Sequence, residues 1–274
     1  MRTSWLVVVA SALVLFACGG SSTSTVTALG TWDSDAGVVI GDGGVIDPTT
    51  LEPFSFFVTS LSAMQSLSGS ANGFGGDLRF GETGDGAGLR GADKLCATIA
   101  ENVMPGAGQK KWRAFLSTSS VDAIDRLGEG PWYDRLGRLV ARDKSQLLAD
   151  RPTGADAAIK NDLPNETGAP NSRPDGVSVD DHDTLTGSGT NGRLVSASAT
   201  CADWTSTTAS GKPRVGHAFP RDGATSGANA NWISAHDAPG CAAGVDISST
   251  SMGQGNTVGG GGGYGAIYCF AAVP

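Results

Sequence analysis

Four cysteines, Cys96, Cys201, Cys241 and Cys269, set the firmest limit on what this 274-residue chain can fold into. Each stands alone in its segment and no C-x-x-C occurs, so the paired spacing of a cysteine zinc site is missing. A fifth, Cys18, belongs to the N-terminal prefix. The even number that remains, in a chain with an export signal, reads as two disulfides, and the spacing alone leaves every pairing open. Composition points the same way. With 41 Gly and only 17% charged residues, against about 25% in an average domain, the chain reads as a loop-rich fold that needs covalent support. Glycine shows no period of three and no heptad persists, which excludes collagen and coiled coil. The net charge of −8 and the lack of any Lys/Arg cluster exclude nucleic acid as a partner.

The prefix reads as an address. Arg2 precedes an uncharged run from Trp5 to Phe16, too short to span a hydrocarbon core of about 30 Å. The junction Leu15-Phe16-Ala17-Cys18 resembles a bacterial lipoprotein box, with Phe16 bulkier than the small residue usual there. The resemblance implies a signal peptide over 1–17 and a Cys18 that carries acyl chains such as palmitate and anchors the protein to a bacterial membrane, expected to be the outer one, on its periplasmic or surface face. Residues 18–53 follow as a Gly/Ser/Thr-rich tether with five acids (Asp33, Asp35, Asp42, Asp47, Glu52), and no Lys or Arg occurs between Arg2 and Arg79. Such a segment has too little apolar surface to offset its conformational entropy, so a flexible spacer is expected.

Residues 54–274 then read as one domain of ordinary size. Phe54 to Ser60 is aromatic and β-branched, a strand. Ala92, Leu95, Cys96, Ile99 and Ala100 recur at helical spacing and predict a helix over 92–103. Lys111 to Ser117 alternates as a strand, and Ser120 to Leu127 opens with a Ser cap and Asp122, a short helix. Residues 150–192 carry Pro, Gly, Asn and Asp without periodicity, a long loop region. Short strands are expected at 203–205, 215–219, 231–234 and 264–272. The fold class is α+β, with two early helices, short antiparallel strands, long loops, and strands at both domain ends free to pair.

The blocks Gly88-Leu89-Arg90-Gly91-Ala92-Asp93-Lys94-Leu95-Cys96, Trp112 to Ser117, Gly187 to Leu194, Cys201-Ala202-Asp203-Trp204-Thr205, Cys241 and Tyr264 to Cys269 carry a resemblance over about 85–270. In order and type they resemble endostatin, the C-terminal non-collagenous domain of certain collagens, and bacterial lipoproteins with an endostatin-like domain of unknown function. The resemblance implies a C-type-lectin-like fold with paired terminal strands, and the nested pairing Cys96–Cys269 and Cys201–Cys241. Two family features do not carry over. The zinc site of endostatin depends on histidines at the N-terminal edge, whereas the first His here is His182. Its heparin surface is arginine-rich, whereas Arg113, Arg126, Arg135, Arg138 and Arg142 are interleaved here with acids.

No catalytic constellation emerges from the sequence. There is no G-x-S-x-G elbow, and His236-Asp237 as chain neighbours do not place a carboxylate on the imidazole. The chain is therefore not expected to be an enzyme. The glycine run 259–263 precedes a strand rather than a helix, so it reads as a loop and not a phosphate cradle. No cofactor is expected. Calcium has a weak candidate in Asp175, Asp180, Asp181 and Asp183, with Asn161 or Asn171 nearby. Three scattered histidines, His182, His217 and His236, without paired spacing argue against zinc. Trp132 and Tyr133, after Gly130-Pro131, and Trp232 stand in loop-like segments and are the candidate ligand contacts.

The sequence thus reads as a lipid-anchored envelope or cell-surface protein whose domain binds a glycan or matrix-like protein without catalysis. The alternative is a structural or envelope-assembly lipoprotein with no soluble ligand.

Overall fold

The computed structural model describes residues 51–171, 179–220, 223–248 and 255–272. The signal peptide, Cys18, the tether up to residue 50 and Asp175 lie outside the described residues. Leu51 packs against the core and the Glu52 carbonyl accepts a hydrogen bond from Lys110 Nζ, so the domain is already engaged before Phe54.

The described chain is a mixed α+β fold. Strand β1 (Phe56–Val58) leads into helix α1 (Leu61–Ser68), which Ser60 caps by accepting from the Ala63 N–H and which Gly69 ends in the left-handed conformation. Helix α2 (Ala87–Val103) buries Ala92, Leu95, Cys96, Ile99 and Ala100, the stripe its periodicity predicts. It begins five residues ahead of that stripe because Gly88 and Gly91 extend its packing face. A Cβ at Gly88 would stand 2.1 Å from the Asp203 carbonyl oxygen, and one at Gly91 2.1 Å from that of Arg79, so only glycine admits the crossing chains. Strand β2 (Trp112–Ala114) follows, and the hairpin β3 (Trp132–Tyr133) with β4 (Leu139–Ala141) lies apart from the main sheet. Strands β5 (Asp183–Leu185), β6 (Arg214–His217), β7 (His236–Asp237) and β8 (Gly263–Ala271) complete the order.

The main sheet runs β1-β8-β5-β6-β7, with β2 also paired to β8. The terminal strands do pair: Phe56 faces Phe270 and Val58 faces Tyr268 across an antiparallel ladder. One pair departs from the expected all-antiparallel sheet, since β5 runs parallel to β8. Strand β5 also lies inside the segment expected to be loop. Its three residues Asp-Thr-Leu are too few to show a period, and its pairing on both sides is supplied by β6 and β8. The expected short helix at 120–127 is a 3-10 turn over Ala123–Arg126.

The expected strand at 203–205 is replaced by a left-handed turn, with Cys201, Ala202, Asp203 and Trp204 all at φ between 49° and 65°. That conformation costs an L-residue about 1–2 kcal/mol. Here the turn is held by its surroundings. Asp203 accepts from the Ser119 N–H at 2.8 Å and from Thr200 Oγ1 at 3.1 Å, and Trp204 Nε1 donates to the Ser117 carbonyl at 2.8 Å.

Two disulfides, Cys96–Cys269 and Cys201–Cys241, join α2 to β8 and the left-handed turn to the segment after β7. These are the pairs the resemblance implies, and they are at home in an oxidising compartment outside the cytoplasm. Among the described residues no helix is long and apolar enough to cross a membrane. The core gathers Phe54, Phe56, Phe57, Trp112, Phe115, Trp132, Trp232, Tyr268 and Phe270 around β8, whose nine residues are all buried.

Candidate metal centre

The aromatic candidates for ligand contact belong to that core. Trp132 is 1% exposed and meets Phe270 edge-on at 5.6 Å; Trp232 is 0% exposed and packs on Phe115 and Tyr268 at 5.2 and 5.0 Å. The Trp232 indole N–H is spent on the Leu147 carbonyl at 2.7 Å. Neither ring presents a face to a ligand, which corrects the expectation for both. Their segments look like loops because the partners that bury them come from distant strands. Tyr133 is half-buried, its N–H donating to Ser55 Oγ.

The polar end of the sheet is different. Asp183 opens β5 and pairs in register with His217, the last residue of β6. His236 opens β7, opposite Val215 on β6, and His182 immediately precedes β5. Sheet pairing thereby brings all three histidines of the chain around one carboxylate. From Asp183 Oδ1 it is 3.2 Å to His182 Nε2, 3.5 Å to His217 Nε2 and 3.0 Å to His236 Nε2. The four donor atoms all lie within 4.8 Å of one another. Asp183, His182 and His217 are buried, and the His236 side chain is 42% exposed.

The outer nitrogens fix how these rings face. His217 Nδ1 lies 3.1 Å from the Asn229 carbonyl and His236 Nδ1 3.3 Å from that of Asp237; a carbonyl only accepts, so each Nδ1 carries the proton. His182 Nδ1 rests against the Asp180 carboxylate. In the neutral rings this leaves three bare Nε2 lone pairs turned toward a carboxylate oxygen. Both Asp183 oxygens, His182 Nε2 and His217 Nε2 are buried with no hydrogen-bond partner. Such groups cost about 1–3 kcal/mol each when unsatisfied, so their convergence calls for a cation. Backing of each ligating imidazole by a carboxylate or carbonyl is the usual outer support of a metal-bound histidine.

Burial drives the protonation preferences. It holds His217 down to about 3, helped by the neighbouring His182, so this ring is neutral across the physiological range. For His236, burial pulls the same way but the contact with Asp183 outweighs it, and the balance is raised. Burial pushes the Asp183 carboxyl up against the opposing pull of His236 and His182. Asp181 is also pushed up, to about 7, by burial first and Asp162 second.

This geometry corrects one expectation. The histidines are scattered in sequence yet meet in space, because β5, β6 and β7 are neighbours in the sheet. Of the calcium candidate's described acids, Asp180 and Asp183 belong to this centre. Asp180 backs His182, Asp183 faces three nitrogens, Asp181 is coupled to Asp162 instead, and Asp175 lies outside the described residues. A centre of three imidazoles and one carboxylate suits a borderline transition ion such as zinc, whereas calcium wants six to eight oxygens.

The glycine run forms part of the same centre. A Cβ at Gly262 would stand 2.9 Å from Asp180 Cγ and 2.9 Å from His182 Cε1, so the loop can close on these side chains only as glycine. Phe219, edge-on to His182 at 5.5 Å, also lines a hollow with Arg151, Lys160 and Asp162. The Arg151 guanidinium donors are engaged there by the carbonyls of Lys160, His217, Ala218 and Ala230.

No family model matches the chain, and no curated protein matches it.

Proposed function

We propose that this protein is an exported binding module that holds a transition-metal ion of the zinc type through His182, His217 and His236 Nε2 and Asp183. The observation that carries the reading is the set of buried, unpartnered lone pairs aimed at one point, each imidazole backed on its other nitrogen. The remaining elements are proposals from the sequence. Acylated Cys18 anchors the protein to a bacterial membrane, residues 18–53 space the domain from it, and the domain is endostatin-like with a C-type-lectin-like fold. The nested disulfides and paired end strands support that fold. The module binds a glycan or matrix-like protein without catalysis.

Burial of three of the four donors favours a second reading, in which the ion clamps β5, β6 and β7 within a structural envelope lipoprotein.

Metal analysis of the full chain, purified without chelator and with its disulfides intact, tests the proposal. One zinc-type ion per chain is expected, lost on chelation with a drop in Tm and restored by Zn²⁺ but not by Ca²⁺. His236→Ala, at the exposed edge, is expected to weaken binding at least tenfold while leaving the Tm of the metal-free protein nearly unchanged. A metal-free preparation that fails to take up Zn²⁺ sinks it.

A further inference from the structure

Donor spacing separates closed metal sites from open ones. Four donors at the corners of a tetrahedron, with bonds of about 2.0–2.1 Å, stand about 3.3–3.4 Å apart. The three distances from Asp183 Oδ1 to the histidines, 3.0, 3.2 and 3.5 Å, suit such edges. One histidine pair does not. The His182 and His236 rings have centroids 6.4 Å apart. Even edge to edge, that leaves their nitrogens about 4 Å apart, the separation of donors on opposite sides of one ion with bonds of that length. His217 stands between them, its centroid 4.2 Å from His182 and 5.2 Å from His236.

We infer that the centre is open: His182 and His236 flank the ion, Asp183 and His217 complete the protein's share, and a further coordination position accepts an exogenous donor, water or a small anion. This rests on the proposed metal reading and gives that site its ligand chemistry. The approach is also visible. His236 is the half-exposed member, and Gly261 beside it has no side chain; a Cβ there would already be 3.7 Å from Asp183 Oδ2 and 3.9 Å from His236 Cε1. A half-exposed ligand leaves that side of the centre within reach of an outside donor, the arrangement an open site requires.

Cobalt reports coordination number by its visible bands, weak at five or six donors and intense at four. The test loads the full, disulfide-bonded chain with Co²⁺ and titrates it with azide, alongside His236→Ala. Weak bands that shift with azide, saturating at one azide per cobalt, are expected. In His236→Ala the bands should change and cobalt affinity should fall at least tenfold, which locates the ion. Intense bands indifferent to azide would show a closed centre and overturn this inference while leaving the metal reading intact. Failure to retain cobalt, or bands unchanged in His236→Ala, overturns both.

Discussion

The two ends of the β8–β5–β6 sheet bury polar groups in opposite ways. Around β8, each indole N–H of Trp112, Trp204 and Trp232 donates to a backbone carbonyl at 2.7–2.8 Å, Trp112 packs on Phe54 and Phe57, and Trp232 packs on Phe115 and Tyr268. At the other end, His182, Asp183 and His217 are equally buried, yet the Asp183 oxygens and the His182 and His217 Nε2 atoms face one another without a hydrogen bond. The first region is complete in itself but for the buried Tyr268 hydroxyl, which has no hydrogen-bond partner. The second has its geometry arranged by the sheet and its electrostatics left open, which is how a fold makes room for an ion.

Three predictions put this contrast at risk. The largest effect is expected in the complete region: Trp232→Ala should cost about 3–5 kcal/mol in chemical denaturation. Were the ring a surface ligand contact, stability would stay within about 0.5 kcal/mol of the parent.

The next concerns acid. His217 is held down to about 3 in the folded protein and titrates at its ordinary 6.5 when unfolded. Between those values the unfolded chain binds more protons, so the stability His217 contributes is present above 6.5 and lost as pH falls toward 3. The raised His236 works the other way, its contribution present below 6.5 and lost as pH rises, but it is half-exposed and the smaller influence. Melting of the metal-free protein across pH should show a progressive loss on the acid side, flattened in His217→Asn. An unchanged acid limb in that variant would contradict the burial of His217 as a neutral ring.

The smallest effect is expected for Asp180→Asn, which keeps the shape but weakens the support behind His182. Zinc affinity measured by chelator competition should fall about 10–100-fold, with little change in the Tm of the metal-free chain. Full affinity would remove Asp180 from the centre.

Much of the complete region was legible in the residues. The stripe Ala92-Leu95-Cys96-Ile99-Ala100 has a local period, the FSFFVTS strand has its composition, and four lone cysteines announce covalent ties. The resemblance added the pairing. The metal centre was hidden because its spacing exists only across strands: Asp183 meets His217 through register, and His236 reaches them through a two-residue edge strand. Helix α1 escaped notice because eight residues, LSAMQSLS, bury only Met64 and show little stripe. The left-handed turn at Cys201–Trp204 has no sequence signature, since no glycine marks it. One signal was available in hindsight. His182 stands next to Asp183 and two residues from Asp180, both of which join the centre.

Strand β8 touches β1, β2 and β5, carries Cys269, and contributes Tyr268 and Phe270 to the aromatic cluster. Its first partner, β1, lies more than two hundred residues earlier in the sequence. Most of the core's contacts are therefore non-local, and loop closure must be accomplished before burial rewards it. Until residues 263–271 are available, β1 and β2 have no strand between them and Cys96 has no partner. The last described strand is therefore the piece that closes the fold, and formation of the Cys96–Cys269 bond reports that closure.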